Sequence, residues 1–368
     1  MDKIKKNFGF GCMRLPMIGD KVDTEQFSQM IDEFIEAGFN YYDTAHGYLN
    51  GESELAIKEC LTSRYSRDQY LLTNKLTENY FEKEEDIRPF FEQQLKWCGV
   101  DYFDFYLMHA QNKGNYDKYK KCHAYEIATE LKKEGKIRHL GISFHDSAAV
   151  LEQILIENPQ VEIVQIQFNY VDYEDPMVES RKCYEVCRKY NKPVIVMEPV
   201  KGGSLVNLPD NARKVLDELH NGSPASYAIR FVAGFEGIRM VLSGMSNLEQ
   251  LEDNLSFMKE FQPLSEEEHE SINKVKQILA EVETIPCTSC RYCVAGCPKK
   301  ISIPDLFSCL NHTKYFPGYS MDGVYRWHTR EGGIASDCIK CGKCEAVCPQ
   351  HLKIRELLVE VATMFDEV

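Results

Sequence analysis

Two sets of four cysteines share one spacing. Cys287, Cys290, Cys293 and Cys297 are followed by Pro298, and Cys338, Cys341, Cys344 and Cys348 by Pro349. Both read C-x2-C-x2-C-x3-C-P, and accidental repetition of a four-cysteine pattern is very improbable. Thiolates at i, i+3 and i+6 suit a loop wrapped around one iron–sulfur cubane. Two other chemistries use the same residues. A disulfide framework needs an oxidising compartment, but no secretory signal is read near Lys3, Lys5 and Lys6, where Gly9, Gly11 and Arg14 break the following stretch. Structural zinc takes four thiolates, usually as separated pairs. Cys309, between the sets, reads as a buried thiol, as do Cys183 and Cys187 at i, i+4 on an expected helix.

A second constellation lies in the first 286 residues. Asp43, Lys75, His109, Ser143, Gln165, Gln167, Asn169, Glu198 and Gly244 each fall at or just past the C-terminal end of an expected strand. A lysine ending an apolar strand is costly to bury unless paired, and Asp43 ends the neighbouring strand. The pair could be purely structural. Tyr48, five residues past Asp43, can reach the same place from a loop. A nearby ammonium would lower the phenol pKa from its ordinary value of about 10.

The elements that must hold these groups alternate. Strands are expected at Phe8–Gly11, Tyr41–Asp43, Tyr70–Lys75, Phe103–His109, Ile137–Ser143, Ile163–Phe168, Pro193–Glu198 and Ile238–Ser243. Helices fit between them; the first carries the stripe Phe27, Met30, Ile31, Phe34, Ile35. The strands are apolar without clean alternation, as when both faces are buried. Eight β/α units in this length predict an α/β fold, a (β/α)8 TIM barrel, with the polar residues at its C-terminal face. No Gly-x-Gly-x-x-Gly follows a strand, which counts against a Rossmann domain. The stretch 265–283, opening Ser265-Glu266-Glu267-Glu268, reads as a capped helix linking two domains.

Composition changes near Pro286. Residues 287–368 hold 10 Lys+Arg and 9 Asp+Glu, while the rest of the chain has a net charge of −15. The expected domains are 1–283, the barrel, and 284–368, the cysteine-rich tail. A total charge of −14 argues against a nucleic-acid partner. No apolar run approaches the length of a membrane span, so a cytoplasmic protein is expected.

Asp43-Thr44-Ala45-His46-Gly47-Tyr48, Thr73-Asn74-Lys75 and Asp104-Phe105-Tyr106-Leu107-Met108-His109 resemble the aldo-keto reductases, strand by strand over about the first 285 residues. The resemblance implies a catalytic tetrad of Asp43, Tyr48, Lys75 and His109. Tyr48 would give a proton to a developing alkoxide, Asp43 would hold Lys75, and His109 would orient a small carbonyl or alcohol substrate. It also implies a nicotinamide cofactor, NAD(H) or NADP(H). Ser143 and Gln165 match the pair that holds the carboxamide. Phe144 stands where Asn is common, and Met197 where a Tyr usually stacks on nicotinamide. Lys201, Gly202 and Gly203 fit a pyrophosphate crossing. In the segment containing Gly244, Ser246, Gln250 and Asn254, Asn254 matches the adenine contact. Gly244 and Gln250 replace the Lys and Arg that clamp a 2′-phosphate.

The tail resembles the bacterial ferredoxin run, in which the fourth Cys ligates the other cluster. That implies a small ferredoxin-like α+β domain with two [4Fe–4S] clusters, one on Cys287, Cys290, Cys293 and Cys348, the other on Cys338, Cys341, Cys344 and Cys297. The whole looks like the ferredoxin-fused branch of the aldo-keto reductases. The implied protein is an iron–sulfur oxidoreductase, with a one-electron donor or acceptor protein as a possible partner. Hydride carries two electrons and each cluster normally one; a flavin, bound or on a partner, would reconcile them, though no flavin motif is read. The other reading is an electron-transfer or regulatory protein whose barrel is catalytically vestigial.

Overall fold

The computed structural model describes residues 3–176, 178–287, 291–348 and 350–366. They form two compact units. The first comprises Met1–Gly202 and Asn221–His269, the second Gly203–His220 and Glu270–Val368.

The first unit is built on a closed barrel of eight parallel strands in sequential order. They are Phe8–Gly11, Tyr41–Asp43, Leu71–Leu76, Phe103–Gln111, Ile137–Phe144, Ile163–Gln167, Val194–Met197 and Ile238–Gly244, and the first pairs with the eighth to close the ring. Alternate residues face opposite ways, as a pleated strand requires. Tyr41, Leu71, Phe105, Leu107, Ile163, Ile195, Met240 and Leu242 form one buried cluster. Neighbours such as Tyr42, Leu72 and Tyr106 join the other, together with helix side chains. Helix Thr24–Glu36 buries the expected stripe, Phe27, Met30, Ile31 and Phe34, and Asp23 caps its start by accepting from the Gln26 N–H. Burying one such large side chain contributes about 1.5–3 kcal/mol.

Two glycines are dictated by the tightness of this packing. A Cβ on Gly9 would stand within 2.9 Å of Met240, Leu242 and Tyr41, and one on Gly141 within 2.7 Å of Leu107 and Ile163.

The fourth strand departs from expectation in a way that matters. It runs past His109 to Gln111, and its register against the fifth strand shifts between Met108 and Gln111. Ala110 takes φ 50°, and its N–H donates to Ser143 Oγ at 2.7 Å. An irregularity of this kind re-aims the adjacent side chain, and here that side chain is His109.

The linking helix runs Glu266–Ala280. Ser265 and Glu268 satisfy each other's backbone N–H groups, at 2.7 and 3.2 Å, the reciprocal cap read from the sequence.

The second unit is helical among the described residues, with no strand. Its main helices are Ile303–Tyr315, Asp322–Thr329 and Ile354–Phe365, around a core that includes Ile301, Leu306, Phe307, Leu310, Leu358 and Val361. The expected β component is therefore not found there. The residues between the two cysteine sets supply helical faces: Ile303, Leu306, Phe307 and Leu310 follow helical spacing. In the aromatic stretch Tyr315–Trp327, Phe316 and Tyr325 are buried while Trp327 is exposed. Tyr325 stacks on Phe365 with ring centroids 4.7 Å apart. Cys309 is buried, and burial pushes its thiol up to about 12. Cys183 and Cys187 are likewise buried, with raised pKa values.

Candidate functional site

At the C-terminal ends of the second, third and fourth strands, four side chains converge. Lys75 is fully buried, and its ammonium donates to Asp43 Oδ1 at 2.6 Å, to the Thr44 carbonyl at 2.8 Å and to Tyr48 Oη at 3.1 Å. The Tyr48 and His109 rings meet edge to face, with centroids 6.0 Å apart. Strand pairing brings Asp43 opposite Thr73, two residues before Lys75 on the same strand face. Tyr48 opens a short helical turn that reaches back over the strand ends. Leu49 and Asn50 in this turn hold positive φ angles of 50° and 55°.

The electrostatics follow from burial and contact. Burial alone would push the Lys75 ammonium down, but Asp43 and Tyr48 raise it, and the net direction is upward. The Tyr48 phenol corrects the sequence expectation. Lys75 pulls its pKa down as anticipated, yet burial outweighs that pull, so the phenol lies above its ordinary value. Burial, then Lys75 and His145, holds His109 well below the usual imidazole range. At neutral pH this site presents a protonated phenol, an ammonium and a neutral imidazole.

Thr77 was not singled out by sequence. Its hydroxyl lies 2.6 Å from His109 Nδ1. It follows Lys75 by two residues, and only the fold reveals that it faces the end of the next strand.

The neighbouring strand ends carry the expected amides. Gln165 is buried; its Nε2 lies 3.5 Å from Asp43 Oδ2, and its Oε1 has no hydrogen-bond partner among the described residues. Ser143 Oγ accepts from the Ala110 N–H. Met197 ends the seventh strand opposite Gln167, whose amide donates to Glu198 at 3.1 Å. A buried amide oxygen without a partner and a nearby serine hydroxyl suit a carboxamide, which brings its own donor and acceptor.

Further round the barrel the expected contacts are already engaged. Lys201 pairs with buried Asp172 at 2.6 Å, which ties its charge down. Gly202 takes left-handed backbone, φ 66°, as does Gly203, φ 103°, which begins a segment of the second unit. Asn254 donates to Ser243 Oγ at 2.9 Å. Gln250 Oε1 accepts from the Ser246 N–H at 2.8 Å, closing the start of helix Leu248–Met258. Arg14 was noted in the sequence only as a break in an apolar stretch. Its guanidinium donates to the Gly202 carbonyl at 3.1 Å, its side-chain carbons flank Gly244, and its carbonyl accepts from Ser246 Oγ at 2.9 Å. It thus lies between the loops after the seventh and eighth strands.

In the second unit the cysteines surround two cavities. One is lined by Cys287, Cys293 and Cys348. The other is lined by Cys297, Cys338, Cys341 and Cys344. Cys290 and Pro349 lie outside the described residues. The fourth cysteine of each sequence set therefore lines the cavity of the opposite set. Four thiolates around one space fit an iron–sulfur cluster, and the first cavity presents three among the described residues.

Comparison with known proteins agrees with both halves. Residues 7–277 match the aldo/keto reductase family and residues 286–353 the 4Fe-4S dicluster domain. The uncharacterized oxidoreductase YqkF of Bacillus subtilis is 25% identical over 274 residues, covering 67% of this chain and 85% of its own. The NADH-specific methylglyoxal reductase of Escherichia coli is 26% identical over 273 residues, covering 61% and 81%. The holo aldo-keto reductase AKR11C1 of Bacillus halodurans superposes with a TM-score of 0.60 at 24% identity, over 73% of this chain and 91% of its own.

Proposed function

The chain belongs to the aldo/keto reductase family, and on that premise we propose that this oxidoreductase reduces or oxidises a small carbonyl or alcohol with a nicotinamide cofactor and exchanges electrons with two [4Fe–4S] clusters. One observation carries the barrel part. A single buried ammonium touches Asp43, Thr44 and Tyr48 at once, so the phenol is both oriented and electrostatically prepared.

The residues divide the work as follows. Tyr48 holds its proton at neutral pH and releases it to oxygen as alkoxide character develops; the Lys75 ammonium then stabilises the phenolate left behind. Asp43 keeps that ammonium in place. A substrate carbonyl accepts a hydrogen bond from His109 Nε2–H, which requires the Thr77 hydroxyl to donate to Nδ1. Gln165 Oε1 and Ser143 Oγ are suited to hold the carboxamide of a nicotinamide. That group, when bound, supplies or takes the hydride. General acid catalysis of this type contributes about 10²–10⁴-fold. The name of the Escherichia coli relative supports small carbonyl substrates and the lesser importance of a 2′-phosphate. The crossed cysteine cavities support two clusters.

Tyr48→Phe tests the barrel reading. It should abolish carbonyl reduction over a panel of small aldehydes and ketones while nucleotide binding and iron content stay intact. Lys75→Met acts on the same proton, so the two losses should be strongly non-additive. Undiminished turnover in Tyr48→Phe would make the tetrad a relic and leave the protein an electron-transfer or regulatory module.

A further inference from the structure

The two cysteine cavities differ in their surroundings. The one at Cys287, Cys293 and Cys348 has apolar walls of Ile303, Pro304, Phe307, Leu352 and Ile354. Its lining cation, Arg291, is neutralised by Asp305 at 2.7 Å. The other is also largely apolar, with Pro298, Ile301, Ile303, Ile339 and Leu358 in its lining, but its rim carries unpaired charge. Cys341 is exposed, and beside it Ile339 is 57% exposed. Lys340 and Lys343 flank Cys341 in sequence, and Lys299 lines the same cavity with Lys300 next to it. All four lysines are exposed, and none forms an ion pair among the described residues. Arg355 also lines this cavity but is matched by Glu345 at 2.7 Å.

From this unpaired charge beside an exposed ligand, and resting on the two-cluster reading above, we propose that the rim of Cys341 is the docking surface for an acidic one-electron carrier protein. Electrons would enter or leave the second unit through the cluster held by Cys297, Cys338, Cys341 and Cys344. Electron tunnelling weakens steeply with distance, so an exposed ligand marks the cluster a second protein can reach. Four unmatched ammoniums on the two segments that line this cavity favour an anionic partner. The first 286 residues, at −15, repel such a partner elsewhere. In each transfer the reduced carrier loses one electron and the cluster gains it; no proton moves and no bond is made or broken.

The test uses the anaerobic, cluster-loaded full chain. Its reduction is followed by stopped flow with two donors, a reduced acidic two-iron ferredoxin and the cationic reduced methyl viologen. With the ferredoxin, the rate should fall at least tenfold as salt rises from about 50 to about 500 mM, because the Debye length shortens from over 10 Å to under 5 Å. Lys340→Glu with Lys343→Glu should slow the ferredoxin reaction at least tenfold at low salt and leave the viologen reaction equal or faster. A salt-independent ferredoxin rate, or an unchanged one in the double variant, would overturn the proposal. So would equal slowing with both donors, which would show the lysines acting on the cluster itself. Iron and sulfide analysis of the same samples judges the two-cluster reading separately, since about eight of each are expected.

Discussion

His109 and Tyr48 are displaced in opposite directions, and together they widen the working range of the site. The imidazole stays neutral to below its ordinary value of about 6.5, and the phenol keeps its proton to above about 10. Carbonyl reduction should therefore run at a flat kcat between those limits. A falling limb centred near 6.5 would mean that His109 is solvated and titrates normally. Thr77→Val leaves Nδ1 without its partner and frees the wrong tautomer, so kcat should fall about 10–100-fold, with Thr77→Ser restoring most of it. Arg14 belongs to the same scale. From its place between Gly202 and Gly244, its charge would suit the pyrophosphate common to both proposed dinucleotides. Arg14→Leu should weaken NADH and NADPH binding alike by about tenfold; loss confined to NADPH would assign it to the 2′-phosphate. Of the four convergent residues, Asp43, Lys75 and His109 were legible because each falls at or near a strand end within a short, distinctive motif, and Tyr48 because it closes the motif that follows Asp43. Thr77 and Arg14 were not, since their importance arises from approaches across 32 and 188 residues of chain. Lys201 looked available for a phosphate for the converse reason: its partner Asp172 is 29 residues away.

Among elements, the strands were legible to within a residue or two, because buried parallel strands leave apolar runs of unmistakable length. The irregularity at Ala110 was not, because it is stabilised by a serine on another strand rather than by a local residue preference. The hairpin of Met17–Ile18 with Lys21–Val22 escaped for a simpler reason: two-residue strands have no period. The barrel interior makes a sharp prediction here. Gly141→Ala would place its Cβ 2.6 Å from Leu107 and 2.7 Å from both the side chain and the carbonyl of Ile163. Backbone on one side cannot move aside cheaply, so the substitution should destabilise the first unit by about 1–3 kcal/mol in urea unfolding. A change under about 0.5 kcal/mol would show that the strands slide apart freely.

At the scale of the whole molecule, the cysteine spacing announced the tail's chemistry but not its architecture, since helices between and after the two sets supply the core. The crossing of ligands is directly testable. Cys297→Ser should remove the cluster of Cys338, Cys341 and Cys344 and leave about four iron atoms, with the other cluster's spectrum intact. Loss of the cluster of its sequence neighbours instead would uncross the pairing. In the two-cluster reading, each cluster would also fasten residues 287–297 to residues 338–348, closing nearly the same long loop twice. One such closure, by analogy with a disulfide, is worth about 4 kcal/mol. The second closure makes the arrangement fail-safe. If oxygen strips iron from the exposed Cys341 side, the other cluster would still hold the loop shut, and the damaged one could be rebuilt in place. Brief exposure to air should therefore leave about four iron atoms per chain and a tail that still resists proteases, and only the loss of the remaining four should open it to cutting.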